Sequence, residues 1–256
     1  MAEKTEAKRE KVLYVVGMGP GEEKMMTLQA REILENCDVI AGYTVYVDLL
    51  RERFPDKEFY STAMKQEWKR CREVLRMADA GKKAVMVCSG DAGVYGMASP
   101  ILECSEEFPQ VKVRVIPGVT AALAGSALLG APLAHDFAVI SLSDLLTPME
   151  QIEKRLRYAA LGDFAICLYN PSSRKRADYL KRACDVLLEC RDRQTLCAVV
   201  RQIGREGEEF HLLSLEELRE YQADMFTTVF IGNASTKKVR GRMVTPRGYK
   251  KEGEKE

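Results

Sequence analysis

Three strand-like runs in the first half of the chain each end at a glycine-bearing turn, and this repeated pattern strongly constrains the fold. The runs cover residues 12–16, 84–88 and 111–116; the first two are continuously apolar, and the third has a lysine and an arginine between its apolar residues. Continuous apolar runs of this length are typical of strands buried on both faces, as in a parallel sheet covered by helices. The carboxyl ends of such strands share one edge, where α/β proteins bind their ligands. The pattern therefore predicts an α/β fold with a pocket formed by three turns.

The turn from Ser89 to Gly96 is the strongest candidate for a ligand-binding loop. It contains three glycines, which allow close approach of a bound molecule and φ values that other residues avoid. Asp91 is its one charged residue and can accept hydrogen bonds from an amine or a sugar hydroxyl. The alternative is an ordinary strand-to-helix turn, in which the glycines serve the geometry and Asp91 caps a helix.

The turn after the first run, from Gly17 to Gly21, does not fit a nicotinamide dinucleotide site. That fingerprint needs a third glycine three positions after the second and free N–H groups at the helix start, whereas Pro20 has no N–H. An acidic residue should also end the second strand, but Asp38 precedes the apolar pair that begins at Val39. We expect this turn to form a wall of the ligand site and not a phosphate cradle.

Charge and composition exclude several classes of function. The 256 residues contain 39 Lys and Arg against 38 Asp and Glu, and a net charge of +1 supplies no global field for nucleic acid or a membrane. The longest apolar stretches are shorter than the roughly 20 residues that span a bilayer. Because the start of the chain is also charged throughout, we expect a cytoplasmic protein.

Cysteine and histidine content argues against a metal centre. The eight cysteines include no Cys-x-x-Cys pair, and three of them lie in strand-like apolar runs, which is typical of free thiols packed as small hydrophobes. Two histidines offer few ligands for zinc. We therefore expect no resident metal.

The pattern changes between Leu129 and Asp136, where we place a domain boundary. The predicted organisation is a solvated tail over 1–11, an N-terminal α/β domain over 12–130, a C-terminal α/β domain over 131–236 and a loosely ordered basic tail over 237–256.

Local signals predict where several helices begin. Thr27 is expected to cap the helix after the first turn. Thr147, followed by a proline, predicts a second helix start, and Ser214 with Glu217 forms a predicted capping box. Helical spacing over residues 64–80 predicts that Trp68 packs in the core.

Two aromatic residues and one basic residue have two interpretations each. Tyr43 and Tyr46 either pack in the core or offer hydroxyls and ring faces to a large substrate. Arg174 follows the strand-like run 164–169, where it either adds charge to an anion-attracting helix N-terminus or lies in a solvated basic turn.

Four long stretches carry a family resemblance: Gly42 to Tyr46, Leu129 to Pro148, Tyr169 to Arg174 and Arg201 to Arg205. With the three turns, they resemble the tetrapyrrole C-methyltransferases of the cobalamin and sirohaem pathways, over nearly the whole chain. Within that family they are most similar to the members that methylate C-17 of precorrin-3B or cobalt-factor III. The resemblance implies two α/β domains with the cofactor in the cleft between them, and a homodimer.

The family's motifs, carried over to matching positions, imply a set of cofactor-binding residues. S-adenosyl-L-methionine is the methyl donor that the resemblance implies, and S-adenosylhomocysteine is the product. The implied contacts are Pro20, Ser89, Gly90, Asp91, Val94, Thr120, Ala121, Asn170 and Gly204. Ala92 stands where the family often has proline and Ala134 where it commonly has glycine, and neither departure removes a functional side chain.

The reaction implied by the resemblance agrees with the residues present. Methyl transfer from a sulfonium is an in-line displacement at carbon that depends chiefly on holding the reactants about 3 to 3.5 Å apart. The tetrapyrrole substrate carries several carboxylates, so arginines are expected at the mouth of its site. The substrate-binding candidates are Tyr43, Tyr46, Arg174, Arg201 and Arg205.

Members of this subgroup also contract the macrocycle, which requires proton transfer. The candidates for that step are His135, Asp136, Ser141 and Asp144. A lone histidine beside a strand start is alternatively a structural residue.

Three other functions stay open at this point. A protein of the same fold can methylate another precorrin position, ribosomal RNA or the precursor of diphthamide, although the charge balance and the lack of an aromatic-basic stripe weigh against RNA. A nicotinamide oxidoreductase is disfavoured by Pro20 and Asp38. A non-catalytic binding module would keep the same pocket.

Overall fold

The computed structural model describes residues 10–173 and 177–250, and the chain divides into two compact units. The first ends at Thr120 and the second starts at Ala121, so the division falls earlier than the predicted boundary after residue 130. The helix that begins at Ala121 belongs to the second unit because its small residues pack there. A Cβ on Gly125 would lie 2.9 Å from the ring of Phe230.

The first unit contains a sheet of five parallel strands in the order β3-β2-β4-β1-β5. The strands are β1 (Val12–Gly17), β2 (Val39–Tyr43), β3 (Glu58–Thr62), β4 (Ala84–Cys88) and β5 (Lys112–Ile116). The helices are α1 (Leu28–Glu35), α2 (Thr44–Arg51), α3 (Glu67–Asp79) and α4 (Ala98–Cys104). Because all five strands run the same way, their carboxyl ends share one edge, as predicted.

Helices cover both faces of this sheet, since alternate strand residues enter two separate cores. Met86 packs with Leu75 of α3 on one face, and Val87 packs with Leu34 of α1 on the other. Thr27 caps α1 as predicted, because its hydroxyl accepts a hydrogen bond from Ala30 N at 3.2 Å.

The prediction that Trp68 packs in the core is wrong, since 49% of the residue's surface is exposed to solvent. It lies in the first turn of α3, before the buried stripe of that helix begins at Arg70 and Cys71.

The second unit contains a mixed sheet in the order β10-β9-β11-β8-β7. Its strands are β6 (Gly130–Ala131), β7 (Phe137–Ser141), β8 (Ala165–Tyr169), β9 (Leu196–Arg201), β10 (Glu209–Ser214), β11 (Thr227–Ile231), β12 (Lys237–Val239) and β13 (Arg242–Val244). Its helices are α5 (Ala121–Leu129), α6 (Met149–Leu161), α7 (Tyr179–Leu188) and α8 (Leu215–Glu220). β7 and β8 are parallel, and β11 runs antiparallel to both β8 and β9. The carboxyl ends of β7, β8 and β9 therefore lie at one edge.

The two predicted helix starts of this unit have different outcomes. Ser214 and Glu217 form the predicted capping box at α8. The predicted Thr147 cap is wrong: α6 begins at Met149, and its N-cap is Pro148, which has no side-chain hydrogen bond to offer.

The predicted loose tail is also wrong for the part that the structure describes. β12 and β13 form a hairpin, and β13 pairs with β6 through Met243 and Gly130. Met243 and Thr245 are completely buried, and the Thr245 hydroxyl donates to Pro132 O at 2.6 Å. The hairpin therefore packs onto the second unit through Met243 and its pairing with β6, although its composition is basic.

Within residues 10–173 and 177–250, no helix has the length and apolar content to cross a membrane, and no three potential metal ligands cluster. All eight cysteines are free, and all except Cys190 are buried, which confirms their interpretation as packed thiols. Burial raises the pKa of the Cys88 thiol to about 11, so it stays protonated at neutral pH.

Candidate functional site

The three glycine-bearing turns of the first unit contact one another at the carboxyl edge of its sheet. Gly19 and Gly90 exchange backbone hydrogen bonds with N···O distances of 3.1 and 2.8 Å. A Cβ on Gly17 would lie 2.7 Å from Gly90 O and 2.8 Å from Gly118 N. Glycine is therefore required at this junction because three backbones meet there, whereas the sequence suggested close approach by a ligand.

The Asp91 carboxylate ties the central loop to the third turn. Its Oδ1 accepts hydrogen bonds from Gly93 N at 2.8 Å and Val94 N at 3.1 Å. Its Oδ2 accepts one from Gly118 N at 2.8 Å. Bonds to an ionised acceptor are stronger than neutral ones, so this carboxylate fixes both segments. α4 begins only at Ala98, and Asp91 is therefore not a helix cap.

The other predicted cofactor residues of this unit lie at the same edge. Pro20 directly follows Gly19 of the junction and is buried. Ser89 directly precedes Gly90 on the central loop and is partly exposed. Thr120, also partly exposed, ends the third turn. That turn is held to the start of α1, since the Thr27 hydroxyl donates to Pro117 O at 3.3 Å.

Tyr43 is the last residue of β2 and Tyr46 lies in the first turn of α2, so both belong to this edge. Their rings form an edge-to-face pair with centroids 5.4 Å apart. Tyr43 pairs in register with Thr62, and the Thr44 hydroxyl donates to Thr62 O at 3.3 Å. Both rings are partly exposed, so the pair belongs to the surface of the edge and not to the deep core.

The second unit brings Ser141 and Asn170 together at the carboxyl ends of β7 and β8. Asn170 Nδ2 donates to Ser141 Oγ at 2.9 Å, and Ser143 N donates to the same oxygen at 3.2 Å. Asn170 has a φ of 54°, a left-handed conformation that asparagine adopts more readily than most residues. Nearby in the sequence, Asp144 accepts a hydrogen bond from the Tyr179 hydroxyl at 2.7 Å.

Tyr169 is a site residue that the sequence pattern did not identify. Its hydroxyl accepts a hydrogen bond from Ala122 N at 2.7 Å. Ala122 is the second residue of α5, and the first N–H groups of a helix have no partner inside it. Tyr169 therefore attaches the start of α5, including the predicted cofactor residue Ala121, to the end of β8. The available signal was its place directly before Asn170.

His135 and Asp136 lie at the amino end of β7, whereas Ser141 lies at its carboxyl end. They precede β7, whose first and last residues are separated by about 13 Å in an extended chain. His135 Nδ1 accepts a hydrogen bond from Asp136 N at 2.8 Å. Both residues line a cavity of about 360 Å³ with Asp163 and Asn233. The second unit therefore separates His135 and Asp136 from Ser141 by the length of β7.

Arg201 and Arg205 lie at the end of β9, at the same edge as Asn170. Arg201 Nε is 2.7 Å from Asp224 Oδ2, and its Nη1 is 3.4 Å from Glu209 Oε1. Although partial burial opposes it, the hydrogen bonds from Arg201 and a neighbouring threonine hold the pKa of Asp224 below its ordinary value. Arg205 lies 5.6 Å from the ring centroid of Phe226. Arg201 is therefore already paired with acids of its own unit.

Two further predicted residues complete the set. Gly204 is buried with a φ of 66°, and its N–H donates to Glu208 Oε2 at 2.7 Å. Arg174 lies outside the described residues.

Comparisons with known proteins identify the family of this chain. The family model described as tetrapyrrole (corrin/porphyrin) methylases matches residues 12–219. A probable cobalt-factor III C(17)-methyltransferase of Salmonella typhimurium is 45% identical over 239 residues, which cover 93% of this chain and 99% of that protein. A precorrin-3B C(17)-methyltransferase of Sinorhizobium sp is 39% identical, with 93% and 96% covered.

A solved structure shows the same fold. The crystal structure of the methyltransferase CobJ matches with a TM-score of 0.84 and 37% identity, covering 91% of this chain and 99% of that one. The family model and these relatives each span most of the chain. The protein therefore belongs to the tetrapyrrole (corrin/porphyrin) methylase family.

Proposed function

We propose that this protein transfers a methyl group from S-adenosyl-L-methionine to C-17 of a cobalt-factor III or precorrin-3B type tetrapyrrole, with ring contraction, in cobalamin biosynthesis. The observation that carries the proposal is the junction of three strand-end turns around Asp91, in a chain similar to C(17)-methyltransferases over nearly its whole length.

The residues at this edge fit an adenosylated cofactor. Backbone groups, Ser89 and Thr120 supply hydrogen-bonding partners, and Asp91 holds the loop that presents them. Bound there, S-adenosylmethionine would supply a methyl group activated by a sulfonium. Cys88 does not compete as a nucleophile, because burial raises the pKa of its thiol to about 11.

Positioning is the main contribution that the protein makes to methyl transfer, since the displacement needs little acid or base. Pro20, Ser89, Asp91, Val94 and Thr120 would hold the cofactor from the first unit. These contacts stay predictions, as do those expected in the second unit from Ala121, Asn170 and Gly204.

Ring contraction needs proton transfer. Ser141 and Asp144 suit this step better than His135 and Asp136, which lie at the other end of β7. Ser141 lies beside Asn170, and the Asp144 carboxylate holds the Tyr179 hydroxyl at 2.7 Å. We propose that the hydrogen-bonded Asp144 and Tyr179 exchange this proton with the macrocycle, and that His135 has a structural role.

Incubation with S-adenosylmethionine and either cobalt-factor III or precorrin-3B, followed by mass spectrometry, tests the methyl transfer. We expect one of the two tetrapyrroles to gain one methyl group. Calorimetry with S-adenosylhomocysteine and NAD is the matched binding test. Binding of NAD without binding of S-adenosylhomocysteine would contradict the proposal.

Asp144→Asn and His135→Gln separate the two steps. We expect Asp144→Asn to accumulate a methylated, uncontracted product, because methyl transfer needs no acid or base, and His135→Gln to give the wild-type product. Tandem mass spectrometry and NMR of the product distinguish the two macrocycles. The reverse result would assign the proton transfer to His135.

We also propose a homodimer and a cytoplasmic location, both of which rest on the family resemblance and the composition. Sedimentation at several protein concentrations measures the assembly.

A further inference from the structure

Arg70 places a guanidinium inside the first unit without an acidic partner. The residue lies in the first turn of α3 and is 3% exposed. Its Nη1 donates to Thr62 Oγ1 at 2.6 Å and lies 3.3 Å from Thr62 O. Among residues 10–173 and 177–250, its Nη2 has only the sulfur of Met97, 4.0 Å away, and its Nε has no hydrogen-bond partner. In the part of the chain that the structure describes, Arg70 forms no ion pair, which is unfavourable for a buried charge.

The two nitrogens of Arg70 without an oxygen partner are Nε and Nη2. Other arginines of α3 bind a carboxylate through these same two nitrogens. Nε and Nη2 of Arg72 lie 3.0 and 2.7 Å from Glu107 Oε2. The same two atoms of Arg76 lie 3.2 and 2.6 Å from the carboxylate oxygens of Glu73. This side of the guanidinium matches the two oxygens of a carboxylate in a bidentate pair. Arg70 therefore presents a complete carboxylate-binding side that no acid of the described residues occupies.

The guanidinium lies at the carboxyl edge of the sheet that carries the candidate site. Thr62 ends β3 and pairs in register with Tyr43. Met97 follows the central loop, and its N–H donates to Cys88 Sγ at 3.3 Å. Ala63, whose carbonyl oxygen is 3.5 Å from Nη1, is exposed. Methionine is flexible and its sulfur is a weak acceptor, so the group that covers this side of Arg70 can move.

We infer that Nε and Nη2 of Arg70 bind one carboxylate of the tetrapyrrole substrate after the Met97 side chain moves aside. The inference deepens the proposed function and rests on it. A macrocycle with several acidic side chains that reaches Tyr43 also reaches the neighbouring end of β3, where Arg70 lies. Arg201, which the sequence suggested for this role, is paired with Asp224, whereas Arg70 has no acid to displace.

Kinetics of Arg70→Gln test the inference. Loss of a charged bidentate pair should raise KM for the tetrapyrrole about 10- to 100-fold. The Kd of S-adenosylhomocysteine should stay unchanged, which separates the substrate carboxylate from the single carboxylate of the cofactor. Arg72→Gln is the matched control on the same helix, because it removes an exposed bidentate pair and should leave both constants within about two-fold.

Two further arms keep the test decisive if Arg70→Gln does not fold. Arg70→Lys keeps the charge but lacks the bidentate side, and it should give an intermediate KM. Methyl esters of the substrate carboxylates should bind more weakly to the wild type, and this loss should be smaller in Arg70→Lys.

Three results would overturn the inference. They are an unchanged KM in folded Arg70→Gln, an equal ester effect in wild type and Arg70→Lys, and weaker S-adenosylhomocysteine binding with an unchanged KM. If the wild type methylates one of the tetrapyrroles, the proposed function stands in all three cases. If the wild type methylates neither tetrapyrrole, the proposed function fails and the inference fails with it.

Discussion

At the scale of single residues, Asp91 determines the geometry of the ligand edge in the first unit. Asp91→Ala removes the acceptor of three backbone N–H groups. We expect S-adenosylhomocysteine to bind about 10- to 100-fold more weakly, or by about 1.4 to 2.8 kcal/mol, because the loop that presents the binding groups loses the bonds that fix it. Calorimetry measures the affinity.

Asp79→Ala is the control, since Asp79 forms a partly exposed ion pair with Lys11, at 2.8 Å, away from the three turns. Its affinity should equal that of the wild type. Wild-type affinity in Asp91→Ala would show that the cofactor binds elsewhere.

Gly118 tests whether the three backbones meet as described. A Cβ there would lie 2.6 Å from Gly17 O, so Gly118→Ala should lower the free energy of unfolding by about 3 kcal/mol. Gly93→Ala is the matched control, because its Cβ would meet only Asp91 Oδ1, at 3.3 Å. Denaturant titration of both variants gives the comparison, and equal stabilities would be incompatible with the junction.

The sequence located these loops but not their internal contacts. Glycines and one acid after apolar runs predicted a ligand edge, and the structure puts the turns together. The bond from Gly118 N to Asp91 joins residues 27 positions apart, and no local pattern encodes such a partner. Arg70 was missed for the same reason, since helical spacing does not reveal a buried charge that lacks an acid.

At the scale of secondary structure elements, Tyr169 joins β8 to the start of α5. Tyr169→Phe leaves Ala122 N without its acceptor, so the unfolding free energy should fall by about 1 kcal/mol. If Ala121 contacts the cofactor, S-adenosylhomocysteine affinity should fall several-fold as well. Tyr158→Phe, at a 63% exposed position, is the control and should change neither quantity. Wild-type stability in Tyr169→Phe would rule out this anchoring role.

The β12–β13 hairpin makes a second prediction at this scale. Met243→Ala should lower the free energy of unfolding by about 2 to 5 kcal/mol, as expected for a completely buried methionine. Val239→Ala, at a 40% exposed position of the same hairpin, should cost less than about 1 kcal/mol. Thermal and denaturant unfolding measure both. A near-neutral Met243→Ala would support the loose tail that composition suggested.

Elements with strong local signals were predictable, and those that depend on distant partners were not. Thr27 and Ser214 cap their helices as predicted because a cap needs only the next few residues. The hairpin was missed because its strands are short and basic, and they form only where β6 offers an edge.

At the scale of the whole molecule, two α/β units were predictable from alternating strands and helices, but their division was not. The small residues of α5 do not indicate in the sequence which unit the helix joins. In the structure Gly125 of α5 packs against the ring of Phe230, which lies far along the chain in the second unit. The mixed direction of the second sheet likewise depends on long-range pairing. Family membership, and not periodicity, supplied the reaction.

The measurement that tests the central claim most directly is 13C NMR of the product formed from cobalt-factor III or precorrin-3B and S-adenosylmethionine labelled at the methyl carbon. The account predicts one labelled methyl group, attached to C-17. Label on a different carbon, or unlabelled product from both tetrapyrroles, would contradict it.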